Sequence, residues 1–404
     1  MPTTAADVPQ ELIVDYDIYD HARAEVVHTE LAEIRERHRV AWTNATGGYW
    51  IATRAEDMHA ILRNPEVFSS AGVSIAPFPG KVIPGQLDPP EHTAFRQVLG
   101  PLFSPQRLAP LEPRIRSIAV ELIDAFIGRG EVALLEEFAH PLPTRLFLAM
   151  MGWPQEDAPI FTEWTQRILV VSTAADDEAK AADGQQAAAE VFAYFGKVVA
   201  RVRENPGDDF TSHLATIRLH SGEPIGDDEL LHLLFELMLG GLHTVRAALG
   251  FTMVELARHP EQRRKLIDDP DLIPGAVEEA LRFESGVAVG RLVTREVTIG
   301  EVTMQPGDRV CVPIWGANRD PALFECPNEL RVDRSPNRHL AFSGGPHRCV
   351  GSHLARIEMR VALEELLRRL PDYEIDPDKP LSYLHGQVRG LEELYLRFTP
   401  GGRA

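Results

Sequence analysis

The chain has 404 residues, 44% of them hydrophobic and 25% charged, a globular balance that excludes a disordered or fibrous protein. Its 60 Asp and Glu against 41 Lys and Arg leave a formal charge of −19, which repels a phosphate backbone and argues against a nucleic-acid partner. Three scattered cysteines, Cys311, Cys326 and Cys349, make neither a zinc cluster nor a disulfide framework.

The N-terminal stretch MPTTAADVPQELIVDYD lacks a basic start followed by an apolar run, so neither a signal peptide nor a membrane anchor is expected, and a cytoplasmic location is. Residues 71–87 form a mostly small and apolar loop with Phe78 its only aromatic. Asp88-Pro89-Pro90-Glu91-His92 reads as a helix start with an acidic N-cap, and His92 and Arg96 then fall on one face. Helical spacing dominates residues 88–270, for example 142–151 and 189–202, and the Ala/Asp-rich stretch 172–186 reads as a mobile connection between helices. A mostly apolar helix is expected from about Asp228 to His259, long enough to cross a whole domain. Glu236, His243 and Arg246 interrupt it too often for a membrane span, so it reads as the axis of one large core. Short Val, Ile and Thr runs at 287–314 indicate a small sheet, helical spacing returns at 353–370, and alternation at 388–398 suggests a last hairpin. The expectation is one mainly α domain over 1–404, helix-rich at 88–285 and 353–371, with a small β region at 287–314 and 388–398.

Chemistry concentrates at three places. Within the long helix, Leu239-Gly240-Gly241-Leu242-His243-Thr244 sets two glycines at mid-helix, which costs about 1 kcal/mol each against alanine and asks for a reason. Close approach by a ligand is one reason; packing against a neighbouring backbone or a kink is another. Glu236 falls on the arc of Gly240 and Thr244, where a carboxylate is costly unless it pairs with a basic residue, a water chain or a polar substrate group. Glu279 and Arg282, three apart, can pair on one helix face. Finally, Phe342-Ser343-Gly344-Gly345-Pro346-His347-Arg348-Cys349-Val350-Gly351 ends at a helix start, where the dipole and free N–H groups favour a thiolate.

That ten-residue string resembles the signature F-x-x-G-x-x-x-C-x-G of the cytochrome P450 monooxygenases, matched at Phe342, Gly345, Cys349 and Gly351. The likeness extends through Asp88 to His92, the long helix, Glu279 to Arg282 and Gly386-Gln387-Val388-Arg389-Gly390, and is strongest to bacterial members of the camphor hydroxylase type. The resemblance implies haem b with Cys349 as the axial iron ligand and Gly240 and Gly351 beside the ring. It implies His92, Arg96, Arg291 and His347 as partners of the propionates, and Thr244 as the alcohol that assists oxygen activation where the helix opens. His243 stands where the family has an acid; it relays protons, or it turns to a salt bridge or a backbone carbonyl. Glu279 and Arg282 are implied to be a buried structural pair, and Glu236, Leu239, Val287, Val289, Gln387 and Val388 to line a mainly hydrophobic substrate pocket. Arg334, Arg338, Arg348 and Arg356 are implied to form a basic face for a ferredoxin, which with its reductase carries electrons from NAD(P)H. The expected activity is hydroxylation or oxidative demethylation of a small organic substrate with O2, by a monomer free of membrane. A peroxide-driven or non-oxygenating catalyst is the alternative that His243 raises, and a non-enzymatic haem or ligand binder the remoter one.

Overall fold

The computed structural model describes residues 1–76, 80–171, 178–219 and 222–403. Its axis is a helix at Asp227–Arg258, 32 residues long and within one residue of the expected bounds at each end. The helix is apolar on most sides because it is buried on most sides. Leu230, Leu233, Leu234, Phe235, Met238 and Leu242 enter one apolar cluster, with Phe161, Phe195 and Trp153. Val245, Leu249, Phe251, Met253, Val254 and Leu256 enter a second, with Phe126, Phe138 and Leu363. The glycine pair and Thr244 fall near the junction of the two. By length and composition the helix passes as a membrane span, but 67% of its most apolar window is buried in protein.

Around this axis pack the helices Glu91–Leu102, Glu112–Phe126, Pro141–Met151, Ala158–Val171, Glu178–Glu204, Ile273–Phe283 and Ser352–Arg369. Phe78 and residues 172–177 lie outside the described residues; from Glu178 the Ala/Asp-rich stretch is the start of a 27-residue helix, not a connection. Alanine is the strongest helix former, and its abundance there outweighs the polar composition.

The main sheet has five strands in the order Val40–Thr43, Tyr49–Ala52, Arg309–Pro313, Ala288–Val293 and Phe68–Ser69, with a parallel pairing of Trp50 and Ile51 to Val310 and Cys311. Its first two strands are buried at every position, so they carry no alternation to betray them. A hairpin of Val297–Ile299 and Val302–Met304 turns at Gly300, as its sequence suggests. The expected hairpin at 388–398 does not form. Gly390–Glu393 pairs with Ser382–Leu384, while Tyr395–Arg397 crosses to Glu131–Ala133 and Glu374–Ile375. Leu391, Leu394 and Leu396 are all fully buried, and seating all three in the core sends the two strands to different partners.

Candidate functional site

The cysteine loop is shaped by close approach to a neighbouring helix. Gly345 has a φ of 65°, and a Cβ there would lie 2.3 Å from the Leu62 carbonyl oxygen, so only glycine fits. The Cys349 N–H donates to the Phe342 carbonyl at 2.9 Å and closes the loop three residues before the helix Ser352–Arg369. Solvent reaches the cysteine although protein surrounds it on most sides. Burial pushes the free thiol up, while the Gly351 N–H and the charges of Arg96 and Arg356 favour the thiolate. Gly351 lies beside the sulfur; a Cβ there would sit 3.9 Å from Sγ.

The glycine pair in the long helix divides its duties. A Cβ at Gly241 would touch Phe147 at 3.9 Å, so this glycine serves helix packing. Gly240 is exposed in the middle of a buried helix, and a Cβ there would meet nothing within 4 Å. Thr244 donates its hydroxyl to the Gly240 carbonyl at 2.7 Å. The helix runs unbroken through this stretch, so the expected opening is absent, the threonine bond being added to an intact ladder. Cys349, Arg96 and Glu236 act on one another electrostatically, which brings the cysteine loop, the helix Glu91–Leu102 and the central helix to one recess.

Two arginines and two histidines gather at its edge. His92 and His347 stack with ring centroids 3.8 Å apart, and His347 Nε2 meets the Ser70 hydroxyl at 3.0 Å. Burial and neighbouring positive charge pull both histidines down, His92 to about 4 and His347 to about 3. Arg291 is 2% exposed; burial lowers it to about 10, and its one hydrogen bond among the described residues goes to the adjacent Gly290 carbonyl. Arg96 donates to the Arg348 carbonyl at 2.7 Å. His92 Nδ1 is buried without a partner. Asp88 is the nearby counter-charge, and it corrects the sequence reading. Rather than capping the helix, whose preceding residue is Pro90, it accepts from the Ser69 hydroxyl and the Ser70 N–H. Four basic side chains held in one place, with the His92 Nδ1 left unpartnered, suit a ligand bearing two carboxylates. Together with a reachable deep sulfur and a bare helix glycine, they fit haem.

The pocket residues divide. Val289 shares a strand face with Arg291 by alternation, and Val287, just before that strand, bridges Val388. Leu239 is half-buried. Gln387 is committed to the neighbouring backbone: its Oε1 accepts the Ile75 N–H and the Tyr19 hydroxyl, and its Nε2 donates to the Val73 carbonyl. It braces residues 73–76, a role that depends on Tyr19, distant in sequence. Glu236 does not reach a basic residue but accepts the Gly85 N–H at 2.7 Å.

Among the described residues His243 makes neither the salt bridge nor the carbonyl contact its sequence position allows. It is 5% exposed with Nδ1 unpartnered, beside His140, whose two ring nitrogens are both unpartnered, and Arg246, whose Nε is likewise unpartnered. Burial, then Arg246 and His140, hold it neutral, well below its ordinary value. Nothing in the spacing of the sequence links His140 to this group.

Glu279 and Arg282 are wholly buried and joined by two 2.7 Å contacts. Arg334 belongs to them: its Nε binds both Glu279 oxygens and its other nitrogens take the Glu325, Cys326 and Glu329 carbonyls, which removes it from the basic face. Arg356 makes two contacts to Glu278 and lies over the Phe342 ring. Arg338 and Arg348 are exposed, and exposed Arg63 adjoins Gly345.

Residues 161–386 match the family model for cytochrome P450. The chain is 37% identical over 356 residues to the mycinamicin IV hydroxylase/epoxidase of Micromonospora griseorubida, covering 85% of this chain and 88% of that protein. It is 32% identical over 340 residues to the steroid C26-monooxygenase of Mycolicibacterium smegmatis, covering 84% of each. The crystal structure of cytochrome P450 CYP101C1 superposes with a TM-score of 0.88 at 32% identity, over 98% of this chain and all of that one. A helix-dominated fold, a cysteine loop on the family pattern and relatives matched along most of their length agree, and the chain belongs to the cytochrome P450 superfamily of haem monooxygenases.

Proposed function

We propose that this P450 oxygenates a mainly apolar organic substrate, by hydroxylation or oxidative demethylation, using electrons from NAD(P)H delivered by a separate ferredoxin and its reductase. Cys349 would hold the iron of haem b, which when bound would supply the oxygen-activating chemistry. The Gly351 N–H steadies the sulfur charge, and His92, Arg96, Arg291 and His347 would hold the two carboxylates of the haem. Leu239, Val287, Val289 and Val388 exclude water and shape the cavity. The Thr244 hydroxyl, parked on the Gly240 carbonyl, can rotate to offer its proton into the recess. Exposed Arg338, Arg348 and Arg63 steer an acidic partner on a chain whose net charge is −19. Three free cysteines suit a reducing, cytoplasmic setting.

The observation that carries this reading is the reachable sulfur of Cys349 close to a cluster of basic side chains, Arg96, Arg291, His92 and His347. The test is to reconstitute with haem, record the reduced carbon-monoxide spectrum, and compare product from O2, NADH, ferredoxin and reductase with product from peroxide alone. A thiolate-type band and product only with the electron chain are expected. The neutral, buried His243 in place of an acid favours a second reading, a peroxide-driven catalyst, for which peroxide alone gives the higher yield.

A further inference from the structure

Glu236 lies one helical turn before Gly240 and two before Thr244, so its carboxyl shares their arc of the central helix. Protein surrounds it on nearly all sides, yet the side chain is only partly closed off from solvent, as befits a group at the wall of a recess. Burial pushes the carboxyl up to about 7, against the opposing pull of the Gly85 N–H and Arg96. Its Oε2 takes the Gly85 amide, and among the described residues no hydrogen bond reaches Oε1. Arg96 acts on it from a distance but forms no ion pair with it, being committed to the Arg348 carbonyl.

A latch for Gly85 would need only one neutral acceptor. A carboxyl with a second oxygen left over, in surroundings that penalise charge, calls for a donor that arrives with the ligand. Gly85 is shaped for this carboxyl: a Cβ there would lie 2.6 Å from Oε1, so a larger residue would displace the oxygen.

Building on the oxygenase reading above, we propose that Glu236 is a specificity-determining anchor for a hydroxyl or ammonium group at the far end of an otherwise apolar substrate. The Gly85 N–H fixes one oxygen and leaves the other to receive the donor. At about 1.5 Å of rise per residue, Glu236 stands roughly 12 Å along the helix from Thr244. The donor therefore lies at the end of the substrate away from the carbon attacked, up to about 12 Å from it.

The experiment uses the haem-loaded protein and three ligands of one skeleton: a two-ring hydrocarbon, its alcohol and its primary amine. Affinities are read from the Soret shift and independently by calorimetry. In the native protein the alcohol, the amine or both bind about tenfold or more tightly than the hydrocarbon. Which of them does so tells a hydroxyl-bearing substrate from an ammonium-bearing one. In Glu236→Gln the amine loses its advantage, and in Glu236→Leu both donors do, each measured against the hydrocarbon in the same variant. Gly85→Ala, which leaves the carboxyl in the chain but pushes it aside, has the same effect as Glu236→Leu. Equal affinities for all three ligands in the native protein, or a donor preference that persists in Glu236→Leu and Gly85→Ala, overturns the proposal. If the donor preference behaves as expected but no electron source yields product, the oxygenase reading fails while the anchor stands.

Discussion

Thr244 turns its hydroxyl back along the central helix onto the Gly240 carbonyl, 2.7 Å away, at the point where that helix is bare. The hydroxyl is satisfied at rest and leaves its carbonyl hydrogen-bonded within the helix ladder, so rotating it toward the recess costs one modest bond. Thr244→Ala should therefore keep ligand-induced Soret shifts and the carbon-monoxide spectrum. Product formed per electron consumed should fall about tenfold or more, with the lost electrons recovered as peroxide. Thr244→Ser should restore most of the coupling. Wild-type coupling in the alanine variant would mean that Thr244 handles no proton.

Arg291 carries opposite expectations for the two states of the protein. It is 2% exposed with an incompletely satisfied guanidinium, so in the haem-free protein its charge is a burden. Arg291→Met should leave haem-free stability unchanged or raised, while haem binding weakens about 10- to 100-fold through loss of a charged hydrogen bond. Urea denaturation of the haem-free form and the rate of haem transfer to an acceptor globin read the two effects separately. A loss of both would make Arg291 a structural residue.

The parts of this site that were legible in the sequence are those where one residue type has one physical reason to be there. Gly345 is demanded by a carbonyl 2.3 Å from its missing Cβ, and Glu279 with Arg282 stands at helical spacing, so both could be read from local pattern. The central helix was legible because its apolar run is long. Arg334 and Arg338 looked alike, four residues apart in the same polar stretch, yet one closes on Glu279 and the other faces solvent. Only the tertiary path separates them. The bonds of Gln387 and Asp88 were hidden for the same reason, since their partners Tyr19, Ile75, Ser69 and Ser70 come from other elements. The strands at Val40–Thr43 and Tyr49–Ala52 escaped notice because full burial erases the period on which such a reading depends.

Glu279 is held by Arg282, Arg334, the Arg331 N–H and Asn337. Arg282 continues to the Asn318 carbonyl, and Asn318 Oδ1 accepts the Leu340 N–H two residues before the cysteine loop. Glu279→Gln leaves two buried guanidinium groups short of their anion, and a loss of about 3–5 kcal/mol is expected from denaturant midpoints. Haem should also exchange faster, because the support of the loop loosens. A change below about 1 kcal/mol would place this pair with ordinary surface ion pairs.

His140 sets an acid sensitivity. It is 1% exposed, both ring nitrogens are unpartnered, and burial followed by Arg246 holds it down to about 3. Between pH of about 6.5 and 3 the unfolded chain binds a proton that the folded chain refuses, so this histidine's contribution is intact above that window and is lost as pH falls through it. The slope is at most about 1.4 kcal/mol per pH unit. His140→Phe removes it, so the drop in stability from pH 7 to 5, read from urea midpoints, should shrink by about 2 kcal/mol. Equal drops in the two proteins would show that water or another group protonates in its place.

His243 raises the question of how protons reach Thr244 without the acid expected beside it. The imidazole is buried between His140 and Arg246, all three carry unpartnered nitrogens, and His243 is neutral far below its ordinary range. Arg246 is 3% exposed and feels Glu136 and Glu392 without an ion pair to either among the described residues. A carboxylate at 243 would stand three residues from that guanidinium, on a neighbouring part of the helix face, and would gain from it what the imidazole loses. His243→Asp should then keep the carbon-monoxide spectrum and shift the pH profile of turnover, since the relay group now titrates as an acid paired with Arg246. His243→Asn, neutral like the native ring but unable to pass a proton, should slow turnover and leave the profile where it was. If the aspartate variant keeps the native profile, His243 is outside the relay, and its neutrality reflects only the cost of charging a ring beside Arg246 in the core.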